Sequence, residues 1–196
     1  MRFSHILTGG LLVLCIAAIH AQEDTTMPLL PSQMGPMESL MWSEHGAMRK
    51  IFDFPLTPEG REKEMRLRRN MLGLHQLGGF ATLAAMTATV ILGQKVYNGD
   101  RDLLQLHSAM AWTTVGMYFT TASLGLFTPP PMIRRGEWST VSTHKLLAAI
   151  HFTGMMVTPY LGSQLAKDNR QMQTVHLASA YTTTAAFAAA LLVVTF

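Results

Sequence analysis

Four histidines stand at matched places in four apolar stretches. His75 lies in "RNMLGLHQLGGFATLAAMTATVILGQ", His107 in "LLQLHSAMAWTTVGMYFTTASLGLF", His144 in "STVSTHKLLAAIHFTGMMVTPYLG" and His176 in "MQTVHLASAYTTTAAFAAALLVVTF". Each falls four or five residues inside the start of its stretch. If successive stretches run in opposite directions, the histidines fall into two pairs. His75 and His144 share a depth near the side where the first stretch begins, called side A here. His107 and His176 share a depth near the opposite side B. A buried neutral imidazole offers one ring nitrogen to a metal, and its other nitrogen needs a hydrogen-bond partner. Two imidazoles at equal depth on facing helices can clamp an iron porphyrin from both faces, and bis-His ligation favours electron transfer over oxygen binding. The expectation is two non-covalent haem b groups, with axial ligands His75 with His144 and His107 with His176. At about 1.5 Å per residue the irons would stand roughly 15–20 Å apart along the membrane normal.

Each histidine could instead be a hydrogen-bonding packing residue, but intramembrane polar groups are costly and serve function by default. His151, seven residues after His144 and on the same face, is an alternative ligand. It is otherwise a proton-carrying or packing residue between the two sites. Small residues follow the histidines at helical spacing: Gly78, Gly79, Thr82 and Thr89; Ala111, Thr114, Thr121 and Gly125; Ser179, Ala180 and Thr183. They leave room for a flat macrocycle, or they simply let helices pack closely.

The elements that must position these groups follow from composition. Only 14% of the 196 residues are charged, against about 25% in soluble domains. Apolar runs long enough to cross a hydrocarbon layer of about 30 Å recur. The expected fold is an all-α membrane protein. Spans near 70–93, 103–127, 139–161 and 172–196, joined by short turns, make an antiparallel four-helix transmembrane bundle. A short N-terminal extramembrane arm precedes it. Residues 1–21 read as a signal peptide cleaved after Ala21. Residues 22–69 form the Met-rich arm, with a short amphipathic helix starting near Ser39 and a charged helical turn or two before the first span. Residues 70–196 form the bundle. The only cysteine, Cys15, lies in the leader. A mature chain without it excludes disulfides, iron–sulfur clusters and covalent c-type haem.

Side A is rich in arginine, with Arg66, Arg68, Arg69, Arg134 and Arg135. Arg69 and Arg134 are the candidates to hold haem propionates, since guanidinium binds carboxylate bidentately. The same bias fits the positive-inside rule, which would put side A inside, whereas a cleaved leader puts it on the exported side. The complete three-part leader is taken as the guide. No basic stripe with interleaved aromatics suggests a nucleic-acid partner.

The motifs "LGLHQLGG", "LQLHSAMAW", "VSTHKLL" and "TVHLASAY", one near the start of each successive helix, resemble the eukaryotic-type cytochrome b561 family over residues 70–196. The resemblance implies that the first and third helices bind one haem b and the second and fourth the other. It implies a transmembrane oxidoreductase that passes electrons across the membrane, with an ascorbate-like or quinol donor and a metal or small-molecule acceptor. Membrane lipid is an expected partner, and so is a second copy or another redox subunit. The alternative is a non-haem membrane protein: a copper-handling chain using Met41, His45 and Met48 of the arm, or a partner-binding scaffold.

Overall fold

The computed structural model describes residues 28–134, 137–165 and 169–195. The leader, its cleavage site after Ala21, Cys15 and Arg135 lie outside the described residues. All regular structure among the described residues is helical. In chain order it comprises α1 (Pro36–Trp42), α2 (Ala47–Ile51), α3 (Pro58–Tyr97), a 3-10 turn (Arg101–Leu103), α4 (Leu104–Leu126), α5 (Thr140–Ser163) and α6 (Arg170–Thr195).

α3 starts at Thr57, whose hydroxyl accepts the Gly60 N–H, with Pro58 in the first turn where a missing N–H costs nothing. It stops at the Asn98–Gly99 turn, where Gly99 has a φ of 116° that a side chain would resist. Between these points the helix runs 40 residues without a break. The charged turns expected as a separate lead-in are therefore the first part of α3, because Glu62, Lys63, Glu64, Met65 and Arg66 are all good helix formers. α5 opens on a capping box between Ser139 and Ser142.

α3 packs along α4, α5 packs along α6, and α3 also meets α6. The innermost cluster takes one side chain from each: Met86, Tyr118, Met155 and Phe187. Close approach depends on missing side chains. A Cβ on Gly78 would stand 2.6 Å from Thr121 Oγ1, and one on Gly154 would stand 2.0 Å from Thr183 Oγ1.

Two helices, α3 and α6, are long and apolar enough to cross a membrane. α4 and α5, at 23 and 24 residues, are close to the 26-residue α6 in length. Large apolar side chains nevertheless point outward on all four: Leu77 and Phe80 on α3, Trp112 and Phe119 on α4, Ile150 and Phe152 on α5, Tyr181 and Leu192 on α6.

The arm differs from expectation. Its single amphipathic helix is two short ones, broken before Gly46, where a Cβ would stand 2.4 Å from the Met41 carbonyl oxygen. Met41, His45 and Met48 consequently do not share one helical face. The arm is fastened to the end of the main helices. Trp42, buried, donates its indole N–H to the Phe127 carbonyl at 2.9 Å. Glu64 sits buried between Arg49 and Arg61, paired with both. Arg61 also donates to the Pro130 carbonyl at 3.1 Å, and Arg68 to that of Pro129.

Candidate paired-histidine site

The four matched histidines meet as two pairs. The rings of His75 (α3) and His144 (α5) have centroids 6.1 Å apart with planes at 86°. Those of His107 (α4) and His176 (α6) are 6.3 Å apart at 84°. Each pair joins the α3–α4 hairpin to the α5–α6 hairpin.

All four rings are held the same way. Nδ1 of His75 lies 2.8 Å from the Thr121 carbonyl oxygen and that of His144 2.9 Å from Ala190. Nδ1 of His107 lies 3.1 Å from the Thr89 carbonyl and that of His176 3.0 Å from Thr158. A carbonyl only accepts, so in each ring Nδ1 carries the proton and donates, and Nε2 keeps its lone pair. This is the second-shell bond that orients metal-ligating imidazoles.

The carbonyls are reachable for a steric reason. A helical Cβ tilts toward the N-terminus, over the turn before it, so the residue four places on shields a given carbonyl. Four residues after Thr89, Thr121 and Thr158 stand Gly93, Gly125 and Gly162. A Cβ there would lie 2.9 Å from Cε1 of His107, 3.0 Å from Cε1 of His75 and 3.1 Å from Cε1 of His176. The fourth cradle departs from the pattern, with Val194 four residues after Ala190.

These spacings expose an internal repeat. Ring and carbonyl are 46 residues apart for both His75 and His144, and 18 apart for both His107 and His176. Each position recurs 69 residues on: His75 and His144, Thr89 and Thr158, Gly93 and Gly162, His107 and His176, Met86 and Met155. The two hairpins are thus two copies of one plan.

On α3, His75 precedes Thr89 and Gly93, which mark the level of the other pair, by 14 and 18 residues. The two pairs therefore stand about 21–27 Å apart along the axis, farther than the sequence spacing suggested. Each ring leans toward its own helix N-terminus, and the helices start at opposite ends, so both pairs shift outward.

A cavity surrounds the His107–His176 pair. Thr89, Ala111, Thr114, Ala180 and Thr183 line it, with Arg101 and Tyr97 at its side-B end. Part of the small-residue stripe thus opens space beside imidazoles, while Gly78 serves helix contact with Thr121. The other candidates divide. Arg134 is paired with Glu38 of the arm, whereas Arg69 is exposed. His151 joins neither pair. It is buried midway along α5, with Nδ1 2.8 Å from Tyr118 Oη and its ring 5.0 Å from Phe187. Among the described residues, no group of three or more His, Cys, Asp or Glu could hold a metal ion.

No family model, no curated protein and no solved structure matches the chain.

Proposed function

We propose that the chain is a four-span membrane electron carrier of the cytochrome b561 type. It holds two haem b groups, one between His75 and His144 and one between His107 and His176. The observation that carries this reading is the ring separation together with the tautomer. A metal–imidazole bond of about 2.0–2.1 Å, plus about 1.1 Å from nitrogen to ring centre on each side, requires centroids about 6.3 Å apart. The observed values are 6.1 and 6.3 Å, and every Nε2 has its lone pair free. Two protein ligands per site would leave the remaining coordination positions of an iron to a macrocycle, and among the described residues no group of three or more His, Cys, Asp or Glu offers a bare-metal site.

Bound there, haem b would supply a one-electron iron couple near each membrane face. The chain's part is to fix the imidazoles by their Nδ1–H bonds and to fill the space between the pairs with the rings of Tyr118, His151 and Phe187. Arg101 at the side-B mouth and Arg69 at side A suit the propionates. The side-B cavity measures ≈ 190 Å³. Large apolar side chains facing outward on all four long helices, around an interior that holds Thr82, Thr114, Thr183 and His151 beside its apolar cluster, favour four spans in lipid. The arm would then stand on side A, the exported side if a leader is cleaved. A donor of the ascorbate or quinol class would deliver the electron, and a metal or small molecule would accept it.

The test is a dithionite-reduced minus oxidised spectrum of the solubilised full chain, with haem and copper quantified. A low-spin b-type signal with two haems per chain is expected. Protein purified without haem, or reconstituted without binding it, overturns the reading and returns attention to copper.

A further inference from the structure

We propose that Tyr118 and His151 form a proton-accepting pair between the two histidine sites, His151 taking up a proton from water when an electron enters the His75–His144 site. This rests on the two-haem reading above.

The contrast with the other four imidazoles carries it. Each of those gives Nδ1–H to a carbonyl and would give Nε2 to iron, so neither ring nitrogen is left to take up a proton. His151 alone among the intramembrane histidines is bonded to a hydroxyl, at 2.8 Å. A phenol both donates and accepts. With His151 neutral, Tyr118 O–H donates to Nδ1. With His151 protonated, Nδ1–H donates to Tyr118 Oη, whose own hydrogen turns away. One contact therefore serves both states of the ring, and both residues are buried.

The repeat points to the same pair. A few interior positions, Met86 and Thr114 among them, keep their type after 69 residues, but Thr82 becomes His151 and Tyr118 becomes Phe187. The ionisable partners thus come one from each hairpin and meet at the centre. His151 lies seven residues, about 10 Å, beyond His144 on α5. Tyr118 faces it from α4 and Phe187 from α6, and the other titratable groups acting on it are His144 and His75. No Asp or Glu lies within the spans to take the proton instead.

The balance is simple. One electron, from dithionite in the test below, converts ferric to ferrous iron. One proton moves from water to a His151 ring nitrogen and leaves hydroxide in the buffer. At about 10 Å and an effective dielectric of about 20, the added negative charge raises the proton affinity of His151 roughly tenfold.

The test is a potentiometric titration of the full chain, from acidic to alkaline buffer, for wild type, His151→Phe and Tyr118→Phe. The last variant copies Phe187 and should pack well. Haem content is measured alongside. In the wild type the potential of one haem should fall as pH rises. His151→Phe should keep both haems and lose that dependence, and Tyr118→Phe should keep it with the inflection displaced. A flat wild-type profile, or the same slope in His151→Phe, overturns the proposal with both haems present. Absence of haem instead overturns the two-haem reading, and the proposal falls with it.

Discussion

Gly93 and the ring of His107 are so close that a methyl on the glycine would stand 2.9 Å from Cε1. The absent side chain and the imidazole are one device: the glycine uncovers the Thr89 carbonyl, and the carbonyl orients the ring. Gly93→Ala should therefore displace His107 and overpack the site, at a cost of about 1–3 kcal/mol. Haem measured per chain should drop by about half, with Gly125→Ala acting on the other site. Gly73 and Gly116 have no neighbour within 4 Å of an added Cβ. Alanine there should leave haem unchanged and stabilise the helix by about 0.5–1 kcal/mol. Equal effects at all four glycines would mean that helix propensity, not the cradle, is being measured.

Histidine replacements should fall into two classes. His75→Ala and His144→Ala should remove the same spectral component, and His107→Ala and His176→Ala the other. The His75/His144 double variant should look like either single one. Four distinct phenotypes would break the pairing.

The arm should depend on one carboxylate. Glu64 is buried between Arg49 and Arg61. Glu64→Ala leaves two buried guanidinium groups without it, a loss of about 3–5 kcal/mol. Limited proteolysis should then cut within residues 36–57, which the wild type protects. Trp42→Phe, which removes the bond to the Phe127 carbonyl and part of a fully buried ring, should cost about 2–3 kcal/mol.

Acid should loosen the same arm at a second point. Burial of Glu38 would by itself raise its carboxyl. The Gly35 N–H, the bond to Arg134 and the charges of Arg134 and Lys145 outweigh burial and hold it below its ordinary 4.5. A depressed folded-state value means the contribution is present above the unfolded value and is lost as pH falls through the folded one. Arm protection should thus decline only below about pH 4.5 at this contact. Glu38→Gln should weaken it at neutral pH and remove that acid-dependent part. An unchanged acid profile in Glu38→Gln would exclude this contact as its source.

The pairing of histidines was legible because depth along a helix is counted directly in residues. What holds the rings was not. The partners are main-chain carbonyls 18 or 46 residues away, and a carbonyl has no signature in side-chain types. Only the T-x-x-x-G spacing of Thr89–Gly93, Thr121–Gly125 and Thr158–Gly162 marks them, and it reads as a pattern once the ring contacts are known. The repeat shows in the sequence only as a recurrence of residue types, since its 69-residue period preserves a few interior positions and lets the outward faces vary. The break in the arm has no proline to mark it: the chain turns at Gly46, where an added Cβ would stand 2.4 Å from the Met41 carbonyl oxygen. The continuity of α3 was hidden by its change from charged to apolar residues, which alters its surroundings and not its helicity.

From Pro58 to Tyr97 no break interrupts α3, so its roughly 60 Å form one continuous helix. Glu64, paired with Arg49 of the arm, sits on the same helix as His75, about three turns away. The anchor of the arm and the side-A imidazole therefore ride on one element, with no interrupted turn between them.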